Sequence, residues 1–275
     1  MNVEEFLDGI KVINGDLIDS YHTSFKNLKT AEDIILSIND VSEFDLTNLN
    51  YCKKLSLENW FIKHINIPNL IKCDGSISFQ ETVAETISLP KLKSCYNISF
   101  TTSTKYININ NLENCFDIKA AYSDIKIFKA EKLKQSSNLD FDKCEKLEKI
   151  YLPNIKSTDI IKLSNTALKS LNLPKLEFVH SIYTDDSKNL QSIDLNKLTD
   201  VYQIFSISNC TKLRFLNLKS LDIIEDNEFY ADNTIFSNLN YETILHFNNF
   251  PKELKESFKH IKPYKTFLNE DLKTT

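Results

Sequence analysis

One six-residue pattern, apolar-x-apolar-x-x-apolar, recurs along this sequence at intervals of 20 to 23 residues, with a mean of 21.5. Its nine copies are FDLTNL (44–49), INIPNL (65–70), ISLPKL (87–92), ININNL (107–112), FKAEKL (128–133), IYLPNI (150–155), LNLPKL (171–176), IDLNKL (193–198) and LNLKSL (216–221). A unit of about 21 residues cannot bury its own apolar face, whereas stacked units share one continuous core. The spacing therefore predicts a solenoid of short coils.

A second, shorter pattern lies about eleven residues after most of these starts. Its copies are KLSL (54–57), SISF (76–79), NISF (97–100), NLDF (138–141), IIKL (160–163), SIYT (181–184) and QIFSI (203–207). Apolar and polar residues alternate in each copy, which is typical of a strand with one buried face. Each repeat therefore predicts two short strands and two corners, and stacking of the repeats predicts parallel sheets.

Glycine is scarce, with 3 residues in 275, so no glycine-rich nucleotide-binding loop such as GxGxxG or GxxxxGK[ST] can be written. The corners of the coil need other turn formers. Four of the six prolines occupy the fourth position of the six-residue pattern, where a missing N–H costs no ladder bond: Pro68, Pro90, Pro153 and Pro174. The sequence contains 29 asparagines, and asparagine is able to adopt the left-handed conformation at modest cost. We predict corners at or near Asn97, Asn138, Asn165 and Asn209.

The cysteines follow the same register. Cys73, Cys95 and Cys115 each stand eight residues after a pattern start, so stacking would place them in a column about 4.8 Å apart. Cys144 and Cys210 each precede the x-K-L that leads into the next pattern. No CxxC pair occurs, and we interpret these residues as buried thiols of a reducing compartment, with a disulfide or a metal site as the alternatives.

We predict a single domain with an N-terminal cap over 1–22, repeats over 23–236 and a helical C-terminal cap over 237–275. A capping box predicts a short helix over 2–9, and an amphipathic helix is expected from Pro251 onward. The chain begins without the basic and apolar segments of a secretory signal, and no apolar run approaches the roughly 20 residues of a membrane span. We expect a cytoplasmic protein, with export by a route without a cleaved signal as the alternative.

The charge pattern argues against nucleic acid as a partner. The net charge is −5, and Arg214 is the only arginine among 33 basic residues. Arginine is the preferred reader of phosphates and guanine edges. No membrane partner is expected either.

No catalytic motif emerges. The five histidines lack HxxxH and HExxH spacing. Asp185 and Asp186 form an acid pair of the kind that glycosidases use, but they lie in a corner segment where acids are ordinary turn formers. A Ser-His-Asp set around His180 and Ser181 has no orienting constraint. We expect a non-enzymatic chain without metal or cofactor.

The remaining candidates lie on the surface, because residues between the inward apolar positions are expected to point outward. On the second pattern, the predicted outward series is Ser56, Ser78, Ser99, Lys119, Asp140, Lys162, Tyr183 and Phe205. Aromatic anchors in a polar, acidic surround are typical of protein-binding patches and favour a basic partner. The candidate partner-binding residues are Tyr106, Tyr151, Tyr183, Phe205, Phe215, Asp185, Asp186 and Asp194. The alternative for Tyr183 and Phe205 is a position under the C-terminal cap or a corner loop.

The segments NCTKLRFLNLKSLDIIEDNEF (209–229) and KCEKLEKIYLPNI (143–155) resemble BspA-like leucine-rich repeats, and the xLPxLxxxxxIxF rhythm is similar to that of receptor L-domains. The resemblance covers roughly residues 44–230. It implies a mainly β, right-handed solenoid of about nine coils, with a concave parallel sheet and a role in protein or ligand binding.

These observations together predict a monomeric protein-binding module that binds another protein with a basic surface. A specific version is an inhibitor or immunity protein that occludes a basic effector. The alternatives are a surface-displayed adhesin and a carbohydrate-binding or carbohydrate-active β-solenoid.

Overall fold

The computed structural model describes the residues 17–19, 25–37, 44–58, 61–80, 82–221, 223–224 and 228–230. These residues form strands and turns and contain no helix. Numbered along the chain, the strands are β1 Leu17–Asp19, β2 Thr30–Ser37, β3 Tyr51–Glu58, β4 His64–Asn66, β5 Lys72–Cys73, β6 Ser76–Ser78, β7 Thr86–Ser88, β8 Ser94–Ser99, β9 Tyr106–Asn108, β10 Asn114–Lys119, β11 Ile127–Lys129, β12 Gln135–Asp140, β13 Lys149–Tyr151, β14 Ser157–Lys162, β15 Ser170–Asn172, β16 Phe178–Tyr183, β17 Ser192–Asp194, β18 Asp200–Ser206, β19 Phe215–Asn217, β20 Ile223–Ile224 and β21 Glu228–Tyr230.

Thirteen of these strands form one long sheet that runs through the stacked coils. Its order is β1-β2-β3-β5-β8-β10-β12-β14-β16-β18-β20, with β6 beside β3 and β8, and β21 beside β18. The described pairings are parallel and join each strand to its counterpart in the next repeat. The predicted mainly β, parallel solenoid of about nine coils is confirmed, while its right-handed sense stays a prediction.

Three-residue strands lie on another side of the coil, and each of them contains the first two residues of a six-residue pattern. They form the small parallel sheets β4-β7-β9, β11-β13 and β15-β17-β19. All four predicted corner prolines lie in the turn that follows such a strand. Asparagine amides then join the same turn to the preceding coil, through bonds from Asn48 to the Lys26 carbonyl (2.7 Å), Asn69 to Thr47 (2.9 Å), Asn111 to Pro90 (2.6 Å) and Asn154 to Glu131 (2.7 Å).

The core is a set of apolar columns, one residue per coil. The central column of the long sheet is fully buried and consists of Ile34, Leu55, Ile77, Ile98, Ile118, Leu139, Ile161, Ile182 and Phe205. Burial of one such side chain stabilises the fold by about 1.5–3 kcal/mol. The columns join the described coils into one continuous core.

A second corner is built from residues in the left-handed conformation. Tyr122, Lys143, Asn165, Asp186 and Asn209 have φ values between 56° and 64°. The first four of these residues each donate their backbone N–H to a carbonyl of the next coil, at 2.8–2.9 Å. The corners predicted at Asn165 and Asn209 are therefore confirmed.

Asn97 and Asn138 lie inside β8 and β12 rather than in turns, so the corners predicted there are wrong. Each stands two residues after a buried side chain and directly before another, so the inward and outward alternation slips by one residue at this position. The strands continue through the slip, and a search for strict period 2 detects only their second half.

The described residues add one strand to the predicted N-terminal cap. β1 pairs with β2 in the long sheet, with Leu17 opposite Ile34. The helices predicted over residues 2–9 and from Pro251 onward lie outside the described residues.

Candidate protein-binding surface

Two of the predicted aromatic residues lie exposed on the short strands. Tyr106 begins β9 and is 61% exposed, and Tyr151 ends β13 with the ammonium of Lys149 at 6.0 Å from its ring centroid. Phe215, the first residue of β19, and Tyr183, the last residue of β16, are half-buried. The outward direction predicted for Tyr106 and Tyr151 is confirmed, and their role in binding stays a prediction.

The outward direction predicted for Phe205 is wrong, because its side chain is fully buried in the core. Between β16 and β18 the register changes from Val179 opposite Val201 to Ser181 opposite Ile204. This extra residue in β18 places Phe205 in the central core column, and Ser206 takes the position beside Tyr183. A β-bulge of this kind shifts every following side chain by one position.

The three predicted acidic residues make hydrogen bonds that connect coils. Oδ1 of Asp185 accepts from the Ser206 hydroxyl at 2.5 Å and from the Ser208 N–H at 2.7 Å. Oδ1 of Asp186 accepts from the Asn209 amide at 2.9 Å. Oδ1 of Asp194 accepts from the Asn217 amide at 3.0 Å. These bonds give all three acidic side chains a role in joining coils, and their role in binding stays a prediction.

The sequence interpretation missed an outward column on the long sheet, which we call the outer ladder. In register order it consists of Glu32, Lys53, Asp74, Tyr96, Phe116, Ser137, Asp159, His180 and Tyr202. Four of these side chains directly follow a cysteine of the buried column: Lys53, Asp74, Tyr96 and Phe116. The cysteine column could have indicated this outward column in the sequence. Where a strand buries Cys95 or Cys115, the next residue, Tyr96 or Phe116, points outward.

The centre of the outer ladder is an exposed aromatic pair. Tyr96 and Phe116 are 51% and 48% exposed, and their rings stack at 4.9 Å between centroids with 9° between their planes. The preceding residues, Cys95 and Cys115, are register partners on β8 and β10. The two rings are therefore held by neighbouring strands rather than by a loop.

Polar side chains continue the outer ladder beyond this pair. The Ser137 hydroxyl donates to Oδ2 of Asp159, and Oδ1 of Asp159 lies 3.2 Å from Nδ1 of His180. The His180 ring lies 5.1 Å from that of Tyr202. Ser181 is buried and its hydroxyl contacts Oε1 of Gln203 at 3.5 Å, so the hypothetical Ser-His-Asp set is not assembled through Ser181.

The other end of the ladder carries a compact polar cluster. The Tyr51 hydroxyl donates to Asp74 at 2.7 Å, and this bond to a carboxylate raises the pKa of Tyr51 to about 12. The Lys72 ammonium lies 2.5 Å from Oδ1 of Asp74. That ammonium, followed by the Tyr51 hydroxyl, lowers the pKa of Asp74.

The predicted cysteine column is confirmed and extends one coil further, to Cys52. All six cysteines are free thiols, and Sγ of Cys95 lies 3.4 Å from Sγ of Cys115. A hydrogen bond with Cys115, followed by burial, raises the pKa of Cys95. A hydrogen bond between the Cys52 and Cys73 thiols raises the pKa of Cys52 and lowers that of Cys73. Within the described residues no group of three or more His, Cys, Asp or Glu side chains could hold a metal ion.

No protein-family model and no curated protein matches the chain. Among solved structures, a leucine-rich repeat protein from Bacteroides ovatus aligns with 87% of this chain and 92% of its own, with a TM-score of 0.36 and 12% sequence identity. The described residues include no helix of the length and hydropathy that a bilayer span requires.

Proposed function

We propose that this chain is a protein-binding solenoid module and that its partner contacts the outer ladder. The observation that carries the proposal is the exposed, stacked pair of Tyr96 and Phe116. Each of the two residues keeps about half of its surface exposed, and a partner that covered them would remove this apolar surface from water. Aromatic side chains in this setting are the residues that most often dominate protein interfaces.

The rigidity of the surrounding sheet supports the same proposal. Both rings stand on β8 and β10, inside a long parallel sheet whose register is set by a fully buried core. Little conformational freedom remains to be lost when a partner binds, which favours affinity. The neighbouring outward column is polar at these strands, with Ser78, Ser99 and Lys119 in register.

The stacking geometry favours a protein over a carbohydrate. The ring planes are nearly parallel and face each other along the direction in which the coils stack. A sugar ring therefore cannot lie flat across both rings, as it would on two coplanar rings. Side chains of a protein can contact the exposed edges and insert at the end of the stack.

In its finer form, the proposed module is a monomeric cytoplasmic inhibitor, of the kind that gives immunity against a basic effector. The support is the net charge of −5 on the whole chain. A surface-displayed adhesin is the alternative within the same binding class, and cell fractionation separates the two by location.

The test is affinity capture from the native source with quantitative mass spectrometry. One bait is a Tyr96→Ser, Phe116→Ser double variant, and its matched control is a Tyr106→Ser, Tyr151→Ser double variant on the short strands. Removal of two central aromatic anchors should weaken capture of a specific partner by at least about tenfold, while the control binds like the wild type. Circular dichroism melting verifies that both variants fold.

Two other outcomes would contradict the proposal. Loss of capture in the control alone would place the binding surface on the short strands, as the sequence predicted. Equal capture by both variants and the wild type would show that neither aromatic group binds the partner.

A further inference from the structure

The aromatic stack of the outer ladder ends abruptly at Ser137. One face of the Phe116 ring is covered by Tyr96, and the opposite face points toward the rung of Ser137. Neighbouring strands lie about 4.8 Å apart, which is close to the spacing of stacked planar groups. The short serine side chain carries no ring, so the aromatic stack does not continue at this rung, between Phe116 and Asp159 on the strand beyond.

Asp159 differs from other acids on this face in the side chains that it contacts. Among the described residues, four acids in or directly beside strands of the long sheet are paired with a lysine: Glu32 with Lys53 (3.6 Å), Asp74 with Lys72 (2.5 Å), Asp117 with Lys119 (3.3 Å) and Asp140 with Lys162 (3.9 Å). The contacts of Asp159 are the hydroxyl of Ser137 and the imidazole of His180. Its side chain is 53% exposed, so a carboxylate that pairs with no lysine of the described residues faces solvent at this rung.

We infer that the Ser137 slot, formed by Phe116, Ser137 and Asp159, receives an arginine side chain of the partner protein. The inference rests on the proposed function. A guanidinium is planar, so it can continue the stack on the open face of Phe116 while its N–H groups donate to Asp159. Lysine carries the same charge as a compact, strongly hydrated ammonium, and it cannot stack.

His180 holds the far side of the slot in place. Its ring lies against Tyr202 and its Nδ1 faces Asp159, so it orients the carboxylate from the side opposite Phe116. Lys134, the residue before β12, is paired with Glu113 at 3.1 Å rather than with Asp159. The arginine side chain would enter from solvent, between Phe116 and Asp159.

The first test uses a small probe rather than the partner. The capped tripeptide acetyl-Gly-Arg-Gly-amide is titrated into ¹³C-phenylalanine-labelled protein and followed by NMR. Its control is the same peptide with citrulline, which keeps the planar shape and removes the charge. The arginine peptide should bind saturably in the millimolar range, and the citrulline peptide at least about fivefold more weakly, because cation–π and charge attraction are lost.

Substitutions in the Ser137 slot test whether the arginine peptide binds there. Asp159→Asn should weaken arginine-peptide binding at least about fivefold, since it removes the charge and keeps the shape. Ser137→Tyr should abolish binding, because the new ring fills the open rung. The matched control, Asp140→Asn, changes a lysine-paired acid on the neighbouring outward column and should bind like the wild type. Binding by Ser137→Tyr and Asp159→Asn at wild-type strength, or equal binding of the citrulline peptide, would overturn the inference.

Capture of the partner by the same variants distinguishes failure of this inference from failure of the proposed function. If Tyr96→Ser with Phe116→Ser loses the partner while Ser137→Tyr and Asp159→Asn retain it, the outer ladder binds the partner and the arginine slot is wrong. If the aromatic double variant retains the partner, the proposed function is wrong, and the peptide titration still decides whether the slot binds arginine.

Discussion

The backbone N–H of Gly75 donates to the carbonyl of Lys53 at 2.6 Å, and a Cβ on Gly75 would lie 2.7 Å from the same oxygen. The contact occurs where the chain inserts one residue. Cys52 and Leu55 are three positions apart, whereas their partners Cys73 and Ile77 are four apart. The bulge brings the two backbones so close that only glycine fits.

Gly75→Ala should therefore destabilise the solenoid by about 1–3 kcal/mol, because the methyl group meets backbone rather than a flexible side chain. Chemical denaturation measures the change. Ser76→Ala, at the next half-buried position, is the control and should stay within about 0.5 kcal/mol of the wild type. Equal stability of Gly75→Ala and the wild type would show that the bulge relaxes freely.

The register shift in β18 makes a second prediction. Phe205→Ala should cost about 3–5 kcal/mol, because it leaves a cavity in the central core column. Tyr183→Ala, at a half-buried edge position on the neighbouring strand, should cost about 1 kcal/mol or less. Comparable losses in denaturant titrations would indicate that Phe205 is not in the core.

The left-handed corner makes a third prediction. Asn165 has a φ of 56°, a conformation that asparagine and glycine adopt more readily than alanine. Asn165→Ala should lower the free energy of unfolding by about 1 kcal/mol, whereas Asn165→Gly should change it by less than about 0.5 kcal/mol. If thermal melts show both variants equally destabilised, the side chain rather than the backbone conformation is responsible.

Asp142 makes a prediction about pH. Burial, followed by the nearby Asp140, raises its pKa above the ordinary 3.8. The folded state therefore holds this proton more tightly than the unfolded state, and the contribution to stability is full below pH 3.8 and is lost as the pH rises through the folded pKa.

Asp142→Asn removes the group that ionises, so the variant does not lose this stability as the pH rises. The variant should match the wild type near pH 3 and exceed its stability at pH 7, by less than about 1 kcal/mol because the carboxyl is partly solvated. Urea unfolding at both pH values measures the difference. A variant that is less stable than the wild type at pH 7 would contradict the prediction.

The fold could be predicted from the sequence because each coil of a solenoid repeats the same local structure. Each coil contacts only its neighbours, so the spacing of the apolar pattern is enough to predict the stacking. Pro68 and Asn165 lie in the predicted corners for the same reason. The position of Tyr96 was harder to predict, because the alternation slips at Asn97 and the first half of β8 is therefore out of phase with the second half, where the short sequence pattern lies.

The sequence by itself determined the coil length, the parallel stacking and the buried cysteine column, since these follow from residues that recur at a constant interval. Only the tertiary structure decided which side chains meet across coils. One inserted residue moved Phe205 into the core, and one open rung at Ser137 lies between an aromatic face and a carboxylate. Both depend on register between neighbouring strands, and a register change of one residue exchanges the inside of a strand for its outside.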